Sequence, residues 1–212
     1  DDYNSVMRSI LKKYANKGMR VQYASGYTRR LDSACRMNIL EGVRQVNAGV
    51  REQAGKEYGA DGVEISAHAL CANDHIPVQG KQYTLKRFNE INSQLKRQIG
   101  TCNCKHTTFP ILIGVSKPAY SKKELNKYKD YSQRKVTVNG VEMTRYEASQ
   151  AMRQAETKIR YQKEEIITLE SAGIDATKER SKLNDLQNGY IGICNQSGLK
   201  PQEERTYVVD FK

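Results

Sequence analysis

The segment Val136-Thr-Val-Asn-Gly-Val-Glu-Met143 leaves the backbone few options. Asn139-Gly140 tolerates the positive φ angles of a two-residue hairpin turn, and valines flank it on both sides, so the stretch is predicted to be an antiparallel β-hairpin. Thr144-Arg-Tyr-Glu147 follows at once and is a capping box. In it the threonine oxygen takes one orphan amide of a helix N-terminus while the glutamate reaches back to another. The helix it opens carries Ala148, Met152, Ala155, Ile159 and Ile166 inward and is expected to end near Gly173.

Helical periodicity dominates the rest of the chain. Tyr3 to Lys17 places Val6, Ile10, Leu11 and Tyr14 on one face, with Gly18 as the stop. Arg20 to Tyr27 reads as a connector. Leu31, Cys35, Ile39, Val43, Val46 and Val50 then form a helical stripe running on to about Tyr58, ahead of Gly59. This stripe is expected to pack against the Ala148-to-Ile166 stripe or against the same sheet. Val63 to Ser66 alternates as a short strand, Ala67 to Gly80 is a loop, and Lys86 to Gln98 is a modest helix with Phe88, Ile91 and Leu95 inward. Gly100 to Tyr120 is irregular and includes an apolar run from Phe109 to Val115 that reads as buried. Ser121-Lys-Lys-Glu124 is a second capping box, opening a basic helix to about Gln133. Asp175 to Asn195 is the last helix, with Leu183, Leu186, Tyr190 and Ile193 inward and Gly198 and Pro201 after it. Thr206 to Phe211 is a strand candidate. The fold class is therefore helix-dominated α+β with a small antiparallel sheet that includes the Asn-Gly hairpin. No repeat, linker or composition break divides residues 1–212, so one domain is expected. The chain opens Asp1-Asp2-Tyr3 without a Met and is expected to be the C-terminal part of a longer polypeptide.

No stretch approaches the roughly 18 apolar residues of a membrane span, so no membrane partner is expected. Charge is the stronger constraint on partners. The formal net charge is +11, and it is uneven: Arg8 to Arg51 holds ten basic residues against two acids, and Lys117 to Lys135 seven against two. A field of this sign attracts nucleic acid, anionic lipid or an acidic protein surface, and a merely solvated basic face would look the same. Arg29, Arg30, Arg36, Arg44, Lys122, Lys123 and Lys127 are the candidate contacts.

All three histidines, His68, His75 and His106, fall within 39 residues beside Cys71, Cys102 and Cys104. Imidazole and thiolate from two short segments are what a tetrahedral zinc site requires, although no Cys-x2-Cys pair is present. A cysteine nucleophile at Cys104 with a histidine base is a second reading. The third is a polar-packed loop junction in which side chains such as Gln79 and Asn103 satisfy backbone groups. The candidate cluster is His68, His75, Gln79, Asn103, Cys104 and His106. Cys35 and Cys194 read as small buried hydrophobes.

Several segments together are similar to one family. They are Tyr23-Ala-Ser-Gly26 with Arg29-Arg30-Leu31 and Ala34-Cys-Arg36, Asp61-Gly-Val-Glu-Ile-Ser-Ala-His68, and His75-Ile-Pro-Val-Gln-Gly80. Asn103-Cys-Lys-His106 follows, then Pro110, Gly114-Val-Ser-Lys-Pro118, Arg145-Tyr-Glu-Ala-Ser-Gln150, Glu156 and Ile159-Arg160. From about Tyr3 to Leu199 the chain resembles the phage minor capsid protein 2 family, a relative of the Mu F-like head morphogenesis proteins. Two departures stand out: Ala72-Asn73 replaces an Arg-Pro pair, and Cys71 and Cys102 do not match family cysteines. The matching ligand candidates reduce to His68, His75, Cys104 and His106, which excludes a four-cysteine zinc ribbon. The resemblance implies a non-enzymatic virion component associated with the portal or head interior, with other head proteins (portal, capsid) as partners and packaged DNA as a further one. It also implies residence in the host cytoplasm during assembly. The alternative is a metal-dependent or Cys/His hydrolase delivered with the virion.

Overall fold

A computed structural model describes residues 3–17, 20–101 and 104–211, with the side chains of Tyr3, Asn4, Lys13, Tyr14, Asn16, Lys17 and Asp32 set aside. The expected stop at Gly18, the place of Tyr14 on its helix face, and the candidates Cys102 and Asn103 lie outside the described residues. In chain order the elements are α1 (Tyr3–Lys17), β1 (Arg20–Gln22), β2 (Thr28–Arg30), α2 (Leu31–Glu57), β3 (Gly62–Ile65), β4 (Gln82–Thr84) and α3 (Leu85–Gln94). They continue with β5 (Thr108–Ile111), α4 (Lys122–Gln133), β6 (Lys135–Val138), β7 (Val141–Thr144), α5 (Arg145–Ser171) and α6 (Thr177–Ser197), then a 3₁₀ turn at Glu203–Arg205. The fold is α+β, with helices dominant and every sheet small and antiparallel. Among the described residues no helix is long and apolar enough to cross a membrane.

The chain forms two compact units, one of Asp1–Leu31 with Lys135–Lys212 and the other of Asp32–Arg134. In the first, β6 and β7 pair with Val138 opposite Val141, so Asn139 (φ 50°) and Gly140 (φ 79°) make the two-residue turn. Thr144 Oγ1 accepts the Glu147 amide at 3.2 Å and the Glu147 carboxylate accepts the Thr144 amide at 2.7 Å, which starts α5 where the sequence places it. Ala148, Met152, Ile159, Ile166 and Leu169 of α5 are buried, as are Leu183, Tyr190 and Cys194 of α6. The α1 helix joins this pair through charge: Arg8 bonds Glu179 at 3.0 Å, and Lys12 pairs with Glu179 and with Glu165 at 3.5 Å. Val6 and Ile10, expected inward, are exposed. The connector expected over Arg20 to Tyr27 is instead part of a hairpin, with Val21 opposite Arg29. Thr206 to Phe211 forms no strand; turns occupy it, and the Arg160 and Lys163 side chains cap the Arg205 and Thr206 carbonyls.

In the second unit β3 lies between β4 and β5, with all four of its residues buried. Ile65, Val78 and Ile99 form its core, against which Tyr83, Phe88, Ile91 and Leu95 pack. Glu64, on the other face of β3, accepts the Gln82 amide at 2.7 Å and the Ala119 N–H at 2.9 Å, so its burial leaves no orphaned acceptor. The Ser121–Glu124 capping box starts α4.

Two expectations about apolar runs fail. The α2 stripe faces solvent: Ile39, Val43, Val46 and Val50 are 56–68% exposed. The face turned inward carries Ala34, Ala48 and Gly55, small residues that allow close approach; a Cβ at Gly55 would sit 2.6 Å from Pro110 Cβ of β5. Phe109, Leu112, Ile113 and Val115 are likewise exposed; Phe109 lies on the edge strand β5, and the other three follow it in a turn.

Candidate functional site

Strand register builds the site. β3 and β5 run antiparallel with Ile65 opposite Thr108, and the pairing continues as Ser66 N–H donates to Thr107 O at 2.8 Å. The residues after Ile65 and before Thr108 therefore emerge side by side, which brings His68 next to His106 across 38 positions of chain. Their rings lie 4.4 Å apart, centroid to centroid. His75 comes from the tight turns between β3 and β4, where Gln79 N–H donates to His75 O at 3.0 Å and so sets Gln79 one turn beyond it.

Gln79 is the hub. Its Oε1 accepts the His68 backbone N–H at 3.0 Å and lies 3.0 Å from His106 Nε2. His75 Nε2 donates to the Arg97 carbonyl at 2.6 Å. Asn92 holds that loop in place, accepting the Ile99 N–H at 2.7 Å and donating to the Ile99 carbonyl at 3.3 Å. His75 and His106 are buried, with their Nδ1 atoms 3.3 Å apart, and Cys104 Sγ is 3.5 Å from His106 Nδ1. His75, Cys104 and His106 each offer a ligand atom within 4.8 Å of the others. His68 stays outside that trio: its Nδ1 donates to Ala69 O at 2.8 Å, and its buried Nε2 has no partner among the described residues.

Burial, with the nearby His68 and His75, pushes the His106 imidazole down to about 3. Burial likewise lowers His68 below the ordinary histidine value, and burial raises the Cys71 thiol to about 11. A neutral His106 and a protonated Cys71 are what a desolvated pocket favours. Cys35, expected buried, is exposed, and Cys194 is buried.

The basic candidates divide. Arg36, Lys122, Lys123 and Lys127 are exposed. Arg30 instead pairs with Glu164, donates to Ala15 O at 3.3 Å and stacks 4.4 Å over the Tyr161 ring. Arg44 is held by the Glu41 carboxylate one turn earlier on α2, and Arg29 lies 5.6 Å from the Tyr27 ring centroid. Asn92 and the Arg97 carbonyl were not readable as site components, since nothing in their local sequence marks them.

Residues 2–190 match the family model described as phage minor capsid protein 2. The chain belongs to that family. No curated protein matches it, and no solved structure does. As a phage minor capsid protein 2 member it is a virion component that acts among other phage head proteins, and the family points to a structural role.

Proposed function

We propose that this minor capsid protein serves head morphogenesis, seated at the portal or on the head interior, and that it works through contact with another head protein rather than through catalysis. The outer face of α2 carries this reading. Ile39, Val43, Val46 and Val50 recur at spacings of four, three and four residues and all are exposed. Burying an apolar side chain of this size contributes roughly 1.5–3 kcal/mol, so a ridge of four is a strong incentive for a partner surface. The exposed Arg36, Lys122, Lys123 and Lys127 support an acidic partner, portal surface or DNA.

The Cys104–His106 contact at 3.5 Å is the one observation that favours a hydrolase. Against it, an imidazole pushed down to about 3 is a weak proton acceptor at neutral pH, where a general base works best near the operating pH. A Val43→Asp/Val46→Asp double variant tests the reading. It should fold normally, because both side chains already face solvent, yet fail to enter assembled heads. Normal incorporation of the double variant would refute α2 as the contact face.

A further inference from the structure

The hydrogen-bond network around the buried histidines assigns their tautomers, and the assignment leaves an electrostatic conflict. A carbonyl only accepts, so His75 Nε2, 2.6 Å from Arg97 O, holds the ring proton. In its neutral form the imidazole has one such proton, and that form leaves a lone pair on His75 Nδ1. Gln79 Oε1 accepts a backbone N–H from His68, which identifies it as the amide oxygen rather than the nitrogen. His106 Nε2, 3.0 Å from the same oxygen, must then be the donor, and His106 Nδ1 is bare as well. These two lone pairs face each other at 3.3 Å inside the protein, with Cys104 Sγ 3.5 Å from one of them. The Cys104 thiol is a weak donor to one of these lone pairs, and a cation taking that hydrogen's place is shared by both nitrogens and the sulfur.

The spacings bear on which cation fits. With metal–nitrogen bonds of about 2.0–2.1 Å and a metal–sulfur bond of about 2.3 Å, a tetrahedral ion separates two nitrogens by about 3.3 Å and a nitrogen from a sulfur by about 3.6 Å. Two of the three distances here are 3.3 Å and 3.5 Å, and His75 and Cys104 offer ligand atoms within 4.8 Å of each other. Two imidazoles and a thiolate suit a borderline-soft transition ion and not the oxygen-seeking magnesium or calcium. The partners of the two Nε2 atoms, the Arg97 carbonyl and the Gln79 amide, are the kind of second layer that orients metal-bound histidines.

We propose that His75 Nδ1, Cys104 Sγ and His106 Nδ1 bind one zinc ion as a staple that joins the loop before β4 to the segment entering β5. Binding releases the Cys104 thiol proton to solvent, and the thiolate, two neutral imidazoles and Zn²⁺ leave a net single positive charge. A water completes the fourth position, and His68 is not a ligand.

The test uses the whole chain, purified, stripped with chelator and titrated with Zn²⁺ or Co²⁺. One equivalent of zinc should survive dialysis, and Co²⁺ should give the intense visible bands of a tetrahedral ion with thiolate-to-cobalt charge transfer. His75→Ala and Cys104→Ser should each abolish stoichiometric binding, whereas His68→Ala and Cys194→Ser should retain it. The cobalt spectrum is read on the unsubstituted chain, so it stands even if a variant fails to fold. No stoichiometric metal on the wild type, an octahedral cobalt spectrum without charge transfer, or zinc retained by both ligand variants would overturn the site. Loss of zinc in His68→Ala would overturn the three-ligand assignment.

Discussion

Replacing Gln79 by Met keeps an unbranched side chain of similar volume but removes the oxygen on which two buried donors converge. The His68 backbone N–H and His106 Nε2–H, both 3.0 Å from Gln79 Oε1, lose their acceptor together. A buried donor left unpaired costs on the order of 1–3 kcal/mol, so two independent losses would approach about 6 kcal/mol. They are not independent. His106 can move its proton to Nδ1, where His75 Nδ1 waits as an acceptor 3.3 Å away. That rescue leaves the His68 amide stranded and the His106 Nε2 lone pair against a thioether, and the expected loss is about 2–4 kcal/mol. The assay is urea denaturation of chelator-treated protein, with hydrogen exchange at the β3 amides reporting the central unit separately from the terminal one. Imidazole ¹⁵N shifts should show the His106 proton on Nε2 in the wild type and on Nδ1 in the variant. A stability change below about 0.5 kcal/mol, the level of an ordinary surface substitution, with an unchanged tautomer, would refute the network and the lone-pair argument built on it.

Glu179 should make the terminal unit acid-sensitive. Burial alone would raise its carboxyl, but hydrogen bonding and charge from Lys12, with Arg8 beside it, hold it below the usual value of 4.5. The unfolded chain therefore binds the proton more readily, so this stability is present above about pH 4.5 and is lost as pH falls through the lowered folded value. Glu179→Gln should flatten that acid limb in hydrogen exchange measured on α6, and a limb of unchanged steepness would contradict the assignment. For DNA, the exposed Lys122, Lys123 and Lys127 of α4 would neutralise three phosphates, giving a log–log salt slope of roughly −2.7 on duplex DNA irrespective of sequence. An affinity flat in salt would instead leave these lysines to a protein partner.

Local chemistry was legible because its partners are three or four residues apart. The Ser121–Glu124 and Thr144–Glu147 boxes and the Asn139-Gly140 turn are all present where the sequence places them, since a cap or a two-residue turn is completed within its own segment. The buried faces of α5 and α6 followed from periodicity in part: Ala148, Met152, Ile159, Ile166, Leu183 and Tyr190 are covered as expected, but Glu156, Glu165 and Glu179 are buried with them. Scarcity of histidine was also informative, because it singled out the two segments that meet.

Periodicity could not say which side of α2 is covered. The helix has an apolar stripe and a face lined by Ala34, Ala48 and Gly55; at Gly55 the approach of Pro110 of β5 leaves no room for a larger side chain, and the valines are left to solvent. Arg20 to Arg30 does carry a turn dipeptide, Ser25-Gly26 with Gly26 at φ 79°, but its strands are only three residues each, too short for an alternating pattern to announce them. The site depended most on tertiary structure. Its geometry comes from a register that sets Ile65 opposite Thr108, and from Asn92 presenting the Arg97 carbonyl to His75. Sequence alone named the imidazoles and the thiol. Only long-range pairing, which closes a loop of more than forty residues, decided that two Nδ1 atoms and one sulfur would be gathered together.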